Sequence, residues 1–401
     1  MVLCIGNKSI LTITNDPHIV KRYYFSEQIE TIVLKLPPII YTKTAGDTGE
    51  IVDNDGEDSS KSPNQMNQEK RHFVFGQLSQ SEKYLAICDN FKNLIVYCTK
   101  EWKVLASFVI ERKCDHVIFN EKEGKLIVSN RSGWIYGYQL VASELKDDEN
   151  GETFLLGHNA IILDLKLSLD SRYLASCDRD EKIRISNYPN CYNIESYCLG
   201  HTQFVSCLAF INEQLLISGS GDGTLRVWQF TQGKELSAYS FANDISAKDE
   251  KVAPLAIHSS SINDQIIVTV TFYNSSIFVT YKFDTKSNCL EKITSTDVKH
   301  NILYSYTFNN QLVCFIDDKN NFVSCQEFKI VNEKLEILKI DFKIMETLAM
   351  DDQLVETFLN EKRTANKIEW LYKSSHDHHN EYFERKKERQ ETKMVKKIKS
   401  S

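Results

Sequence analysis

The sequence predicts an all-β protein that folds as a seven-bladed β-propeller. Three observations support this: a block of strand, polar turn and strand recurs along the chain, its copies are evenly spaced, and no sustained helical stripe appears before residue 345. The clearest copies are LASCDRDEKIRIS (174–186) and LISGSGDGTLRVW (216–228), and a Gly-His pair precedes each of them. These two blocks therefore define the repeat against which weaker copies are aligned.

The weaker copies share only the pattern of the block, and their spacing identifies the repeat. Consecutive equivalent positions lie 41, 48, 42, 52 and 45 residues apart, and they are Cys88, Ser129, Cys177, Gly219, Thr271 and Ile316. This spacing is typical of WD repeats, whose period is about 40–45 residues. A seventh copy is found at 4–13 (CIGNKSILTI), with Cys4 equivalent to Cys88. We therefore expect a WD-repeat propeller over residues 1–345.

Two segments depart from the repeat. Residues 46–71 contain almost no apolar side chain that could offset the cost of ordering them, so we expect a disordered loop there. Residues 345–359 have helical spacing, and the chain is strongly basic from Arg385 onward. The region 346–401 is therefore expected to form a C-terminal helix and a basic tail.

Composition limits the classes of function. The chain has 401 residues and a net charge of −7, which argues against nonspecific coating of nucleic acid. No apolar run approaches the roughly 18 residues that a membrane span requires, and the N-terminal residues do not resemble a signal peptide. Eleven cysteines without any C-x-x-C pair fit buried thiols in a reducing compartment. We expect a soluble protein that is neither secreted nor inserted in a membrane.

Four repeat residues are expected to hydrogen-bond in series and to tie the outer part of a blade to its centre. They are His201, Ser218, Asp222 and Trp228. Buried polar groups persist when each has a partner. A catalytic Ser-His-Asp interpretation has little support, because the set belongs to a repeat and lacks a nucleophile elbow. The preceding blade has His158, Ser176 and Asp180, but Ser186 stands where Trp would be, so its series is expected to be incomplete.

Motifs that carry chemistry are otherwise missing. The sequence contains no phosphate-binding G-x-x-x-x-G-K-[ST], no H-E-x-x-H and no Cys and His pairs at zinc spacing. The run at 376–379 (HDHH) lies in a polar region and is expected to be solvated rather than to bind a metal. We therefore expect this chain to have no catalytic residue, cofactor or metal.

Three segments resemble the Wuho family. They are DRDEKIRIS (178–186), IESYCLGHTQFVS (194–206) and SGSGDGTLRVW (218–228), and YFERKKER (382–389) is similar to the basic tail of the family. Members are noncatalytic WD-repeat subunits of the heterodimeric enzyme that makes 7-methylguanosine in tRNA. The resemblance implies a scaffold that binds the catalytic subunit, with S-adenosylmethionine in that partner and tRNA bound through the complex. It also implies a nuclear location, with the cytoplasm as the alternative.

The resemblance also suggests which residues contact the partner. It implies that the strand carrying Glu181, Lys182 and Arg184 packs on the methyltransferase subunit, with Arg184 facing an acidic residue. On a strand, Ile183 and Ile185 would point into the core and Arg184 outward. Arg179 fits either the turn or the contact. The tail contributes candidate RNA contacts, which are Arg385, Lys386, Lys387 and Arg389.

Alternative interpretations remain open. Arg226 occupies the position of Arg184 in the next blade, so a purely structural role is one of them. A substrate receptor of a ubiquitin ligase, or a general interaction hub, is the alternative function. Against the receptor, Trp228 is followed by Gln-Phe-Thr rather than by the Asp-x-Arg of many such propellers. A hydrolase that uses the propeller channel lacks a convergent acid, base or metal set.

Overall fold

The protein consists of seven four-stranded antiparallel sheets, each formed by strands that are consecutive in the chain. The computed structural model describes residues 2–5, 9–13, 19–24, 29–37, 71–140, 152–245, 252–262, 265–308, 311–318, 323–331, 334–340, 359, 362–363 and 365–372. The first strand of each sheet contacts the first strand of the next, from β1 and β5 onward to β21 and β25. This arrangement is a seven-bladed propeller, as predicted.

The strands of the first four blades have the following bounds. Blade 1 comprises β1 (Val2–Ile5), β2 (Ser9–Ile13), β3 (Ile19–Tyr24) and β4 (Ile29–Val33). Blade 2 comprises β5 (Phe73–Leu78), β6 (Tyr84–Asp89), β7 (Asn93–Cys98) and β8 (Lys103–Val109). Blade 3 comprises β9 (Cys114–Asn120), β10 (Lys125–Asn130), β11 (Trp134–Gln139) and β12 (Glu152–Gly157). Blade 4 comprises β13 (Ile162–Leu167), β14 (Tyr173–Asp178), β15 (Ile183–Asn187) and β16 (Ile194–Cys198).

The other three blades continue the same order. Blade 5 comprises β17 (Val205–Phe210), β18 (Leu215–Ser220), β19 (Thr224–Gln229) and β20 (Lys234–Ser240). Blade 6 comprises β21 (Pro254–Ile262), β22 (Gln265–Phe272), β23 (Ile277–Asp284) and β24 (Cys289–Asp297). Blade 7 comprises β25 (Ile302–Phe308), β26 (Gln311–Ile316), β27 (Val323–Val331) and β28 (Lys334–Ile340). A 3₁₀ helix at Phe230–Gln232 joins β19 to β20.

The core lies between neighbouring blades, because clusters of buried apolar side chains join each blade to the next from blade 1 to blade 7. Ile183 and Ile185 on β15 are fully buried, as their alternation predicted, and they pack in a cluster with Trp228 and Phe230 of blade 5. The opposite face of blade 4 contributes Leu174 to a cluster shared with blade 3. The strands of blade 4 therefore have no face that is open to solvent along its whole length.

The alignment of the first repeat was wrong by one strand. Cys4 lies on β1, the innermost strand of its sheet, whereas Cys88 lies on β6, the second strand of blade 2. The position equivalent to Cys88 is the end of β2, near Ile13. The error has a physical cause: the connection after β1 is as short and polar as the turn after a second strand, so the pattern alone does not separate them.

Arg71, which the sequence placed at the end of a disordered insert, belongs to the folded propeller. Its Nε lies 2.6 Å from Oδ2 of Asp89, its Nη1 donates to the carbonyl of Pro37, and its side chain is nearly buried. Residues 46–70 of the predicted insert lie outside the described residues.

Some described residues follow the seventh blade. Arg363 forms an ion pair with Asp317, and the side-chain amide of Asn366 donates to the carbonyl of Leu303. The predicted boundary at residue 345 stays a prediction, and only Leu359 of the predicted helix 345–359 is described, in helical conformation. A separate unit, 368–401, contains a 3₁₀ helix at Glu369–Leu371. Across the described residues, no helix is both long enough and apolar enough to cross a membrane.

Candidate partner-docking surface

In blade 5 the structure brings His201, Ser218, Asp222 and Trp228 together. His201 Nδ1 donates to Asp222 Oδ2 at 2.9 Å, and Nε2 lies 2.8 Å from Ser218 Oγ. The indole Nε1 of Trp228, a fully buried side chain, donates to the same hydroxyl at 2.8 Å. Burial alone would raise the pKa of Asp222, but hydrogen bonds from His201 and Thr224 outweigh it and hold the pKa well below its usual range. The set is an internal tie of the blade.

Blade 4 has a similar tie, but Asp178 replaces the predicted Asp180. His158 donates from Nδ1 to Asp178 Oδ2 at 2.8 Å, and its Nε2 lies 2.7 Å from Ser176 Oγ. Oδ1 of Asp178 accepts the backbone N–H of Asp180 at 2.9 Å. In blade 5 the residue equivalent to Asp178 is Ser220, whose hydroxyl accepts the N–H of Asp222. Asp178 therefore accepts both the histidine N–H and the turn N–H, which Asp222 and Ser220 accept separately in blade 5. Neither hydrogen bond involves the side chain of Asp180.

Arg184 is held by acceptors of blade 4 and by one of blade 3. Its Nε donates to Ser186 Oγ at 2.9 Å, its Nη2 donates to the carbonyl of Cys191 at 2.8 Å, and its Nη1 lies 3.5 Å from the carbonyl of Gly157. Ser186 is fully buried, so the guanidinium satisfies a hydroxyl at the position where blade 5 has Trp228. The sequence placed Arg184 outward, on the face opposite Ile183 and Ile185, and the structure shows it half-buried and held by these acceptors.

The glycine before each repeat histidine lies close against neighbouring side chains. A Cβ on Gly200 would lie 2.7 Å from Nη1 of Arg226 and 3.2 Å from the ring of Trp228. Gly157 occupies the same place for blade 4, and a Cβ there would lie 3.2 Å from the ring of Trp134. The glycine of each Gly-His pair thus marks a closely packed place, beside Arg226 and Trp228 of blade 5 in one case and beside Trp134 of blade 3 in the other.

The other predicted contact residues lie on the turn between β14 and β15. Lys182 is exposed, and Arg179 and Glu181 are half-buried. Glu181 has a φ of +70°, a left-handed conformation that disfavours residues with a Cβ, and the corresponding position of blade 5 is Gly223 at +83°. The turn thus exposes Lys182, which lies two residues before Arg184 in the chain.

Two exposed aromatic residues that the sequence did not mark lie beside Gly157, whose carbonyl faces Arg184. The side chain of Trp134 at the start of β11 and that of Phe154 on β12 both approach Gly157. They are 41% and 58% exposed, although such rings are commonly buried. The alternation Trp134, Tyr136, Tyr138 was the available signal, but it reads equally well as core. We call Trp134, Phe154, Arg179, Glu181, Lys182 and Arg184 the blade 3–4 surface.

The remaining predicted residues are not brought together. The basic tail residues Arg385, Lys386, Lys387 and Arg389, and the run at 376–379, lie outside the described residues. Within the described ranges, no group of three or more His, Cys, Asp or Glu side chains is placed to hold a metal ion.

Comparison with known proteins identifies the family. The family model described as the tRNA methyltransferase TRM82 WD40 domain matches residues 138–340, about half of the chain. The chain belongs to this family. The match runs from β11 to the end of blade 7 and includes the turn at 179–182 and Arg184.

Curated relatives agree with the TRM82 WD40 assignment. The tRNA (guanine-N(7)-)-methyltransferase non-catalytic subunit wdr4 of Danio rerio is 36% identical over 201 residues, covering 48% of this chain and 46% of the relative. The WDR4 subunit of Homo sapiens is 35% identical over 193 residues, covering 48% and 44%. The wuho subunit of Drosophila pseudoobscura pseudoobscura is 48% identical over 111 residues, covering 28% and 27%. The chain thus spans less than half the length of these relatives.

Solved structures support the fold of this TRM82 WD40 family member. A chain of the structure titled Crystal Structure of Mitotic Checkpoint Complex has a TM-score of 0.58 at 14% identity, covering 84% of this chain and 86% of that one. The structure titled Crystal structure of RRP9 WD40 repeats gives 0.56 at 15% identity, covering 79% and 87%. At such identities the similarity concerns the fold alone.

Proposed function

We propose that this chain is the noncatalytic subunit of a tRNA guanine-N7 methyltransferase and that it binds the catalytic subunit as a heterodimer. The family match over 138–340, which contains Arg184, carries the proposal. The names of the curated relatives, which describe non-catalytic subunits, support it. In this proposal the chain is not itself an enzyme, and S-adenosylmethionine binds the partner.

The blade 3–4 surface offers a preorganised contact for that partner. Three acceptors of the propeller already fix the guanidinium of Arg184, so a partner carboxylate would meet a positioned charge rather than a mobile side chain. Preorganisation reduces the entropy lost on binding. A charged pair in a desolvated interface contributes strongly when its geometry is fixed.

The proposed mechanism is that of a scaffold. A rigid propeller that binds the active conformation of the catalytic subunit more tightly than the inactive one shifts the partner toward activity. tRNA would then be bound by the complex, with the basic tail (Arg385, Lys386, Lys387 and Arg389) as a further RNA contact. The proposal includes a nuclear location, where the complex would act on tRNA.

The test is to purify the chain with and without a catalytic tRNA guanine-N7 methyltransferase subunit. We expect co-elution of the two chains and methyl transfer to tRNA that this chain stimulates. Absence of both would refute the proposal, and co-elution with a ubiquitin ligase adaptor instead would favour the receptor function.

Arg184→Gln tests the docking surface. If the guanidinium meets a carboxylate at the interface, its loss should weaken partner binding by about 2–4 kcal/mol. Arg226→Gln is the matched control, because Arg226 holds the equivalent position and forms an ion pair with Glu235. We expect both variants to lose some thermal stability and only Arg184→Gln to lose partner affinity. Equal affinities in the two variants would remove Arg184 from the interface.

A further inference from the structure

Three aromatic rings form a corner beside Gly157. Trp134 and Tyr136 lie on the same face of β11, and Tyr136 is paired with Phe154 on β12. Their ring centroids are 6.4 Å (Trp134–Tyr136), 6.3 Å (Trp134–Phe154) and 5.6 Å (Tyr136–Phe154) apart. The corresponding planes meet at 68°, 88° and 71°. We call these three residues the aromatic corner.

The spacing of the corner suits a cation. Attraction of a cation to a ring face operates within about 6 Å of the centroid. A cation about 4.5 Å from each of three faces at right angles would lie within this range, and the three centroids would then be about 6.4 Å apart. The observed separations are 5.6–6.4 Å. Trp134 and Phe154 are the exposed walls of the corner, and Tyr136 is half-buried between them.

Two carboxylates add negative charge at the same place. Glu152 lies two residues before Phe154 on β12 and therefore on the same face of the strand, opposite Tyr138. Burial, together with the charges of Glu111 and Glu152, raises the pKa of Tyr136 to about 12. Glu111 lies on the connection from blade 2 to blade 3, and Glu152 begins β12. Both are exposed. The corner therefore combines negative ring faces with two carboxylates.

We propose that the aromatic corner of Trp134, Tyr136 and Phe154, flanked by Glu111 and Glu152, binds a lysine or arginine side chain of the catalytic subunit. The inference rests on the proposed function, since it names the partner chemistry at an extension of the same surface. Gly157 lies between the aromatic corner and Arg184. A Cβ on Gly157 would meet the rings of Trp134 and Phe154, and the carbonyl of Gly157 faces the guanidinium of Arg184. The partner would thus present an acid to Arg184 and a base to the corner.

Opposite charges at two adjacent points specify one docking orientation. A partner that binds with its acid and base exchanged would place like charges together, which costs affinity. An RNA base could also stack on exposed rings, but its phosphates would be repelled by Glu111 and Glu152. An apolar partner side chain would leave both carboxylates without a counter-charge. The charge around the corner therefore favours the cation.

The decisive experiment changes the ring electrostatics without changing the shape. Trp134 is replaced, at that position alone, by tryptophan carrying one, two or three fluorines, and the affinity of the full-length chain for the catalytic subunit is measured. Each fluorine weakens the negative potential of the ring face. We expect affinity to fall stepwise, by about tenfold for the trifluorinated ring. Phe154→Leu, which keeps apolar area but removes the ring, should lose a similar factor.

Tyr192→Leu is the matched control, because Tyr192 is an exposed aromatic residue that lies outside the corner. It should bind the partner as the unchanged chain does. Affinity that is flat across the fluorine series would overturn the proposal, whether or not Phe154→Leu weakens binding. Binding of tRNA by the isolated chain that falls with Phe154→Leu while partner affinity stays constant would assign the corner to RNA instead. If the unchanged chain fails to bind the catalytic subunit, the proposed function fails as well.

Discussion

Replacement of Asp178 by alanine should destabilise the propeller far more than the same change at Asp180, two residues away. The Asp178 carboxylate, 3% exposed, accepts hydrogen bonds from His158 Nδ1 and from the backbone N–H groups of Asp180 and Lys182. In the variant, the buried His158 N–H loses its partner, which costs about 1–3 kcal/mol. The two turn N–H groups are part-buried, and the loss of each of their hydrogen bonds costs about 0.5–1 kcal/mol.

These contributions add to a loss of about 2–5 kcal/mol for Asp178→Ala, a large fraction of the 5–15 kcal/mol that stabilises most folded proteins. Asp180→Ala keeps the backbone N–H that Asp178 accepts, so its effect should stay within about 0.5 kcal/mol. The assay is urea unfolding at pH 7, with His158→Ala completing a double-mutant cycle with Asp178→Ala. Coupling above about 1 kcal/mol between Asp178 and His158 is expected. Equal losses of unfolding free energy in the Asp178 and Asp180 variants would refute the reasoning, because Asp180 would then contribute as much to the tie as Asp178.

Three further results are expected. Trp228→Ala should lower the free energy of unfolding by about 3–5 kcal/mol, because a buried ring and its hydrogen bond to Ser218 are lost, while partner affinity of the folded fraction stays constant; a selective binding defect would contradict this. Glu181→Gly should raise stability by about 1 kcal/mol in thermal unfolding, because glycine accepts a φ of +70° without strain; an unchanged or lower melting temperature would argue against strain at this turn. Burial and the charge of Lys166 lower the pKa of His258 to about 3, below the value near 6.5 in the unfolded chain. As the pH falls from about 6.5 to about 3, the unfolded chain takes up the proton first, so the free energy of unfolding decreases. Between pH 7 and pH 5 the urea midpoint should fall more in the unchanged chain than in His258→Gln, and equal shifts would show that His258 does not cause the loss.

The architecture could be predicted because the repeat produces a periodic pattern of apolar strands and polar turns in the sequence. Each second and third strand encloses a polar turn, and the spacing of these turns counts the blades. The boundaries of individual strands could not be predicted where this pattern fits more than one alignment. Around Cys4, two short polar connections follow one another, and either could be the repeat turn.

The two aspartates of blade 4 show a second limit. An alignment pairs Asp180 with Asp222, because it compares positions along the chain. The hydrogen bond depends instead on which carboxylate reaches the histidine, and Asp178 at the end of β14 reaches His158 while also accepting the turn N–H. Side-chain geometry therefore favours Asp178 over Asp180, the residue that the alignment had selected.

The position of Arg184 depends on contacts between blades, which the sequence pattern of a single strand does not show. Alternation along β15 correctly separated Ile183 and Ile185 from Arg184, but a two-residue period shows only that the faces differ. In a propeller both faces of a sheet meet neighbouring blades, so the polar face of β15 meets Gly157 of blade 3 rather than open solvent. An arginine in that place must satisfy buried acceptors of the fold, and it does so through Ser186 and Cys191. Because the same guanidinium is the proposed partner contact, folding and docking share one side chain, and the contact is positioned before the partner arrives.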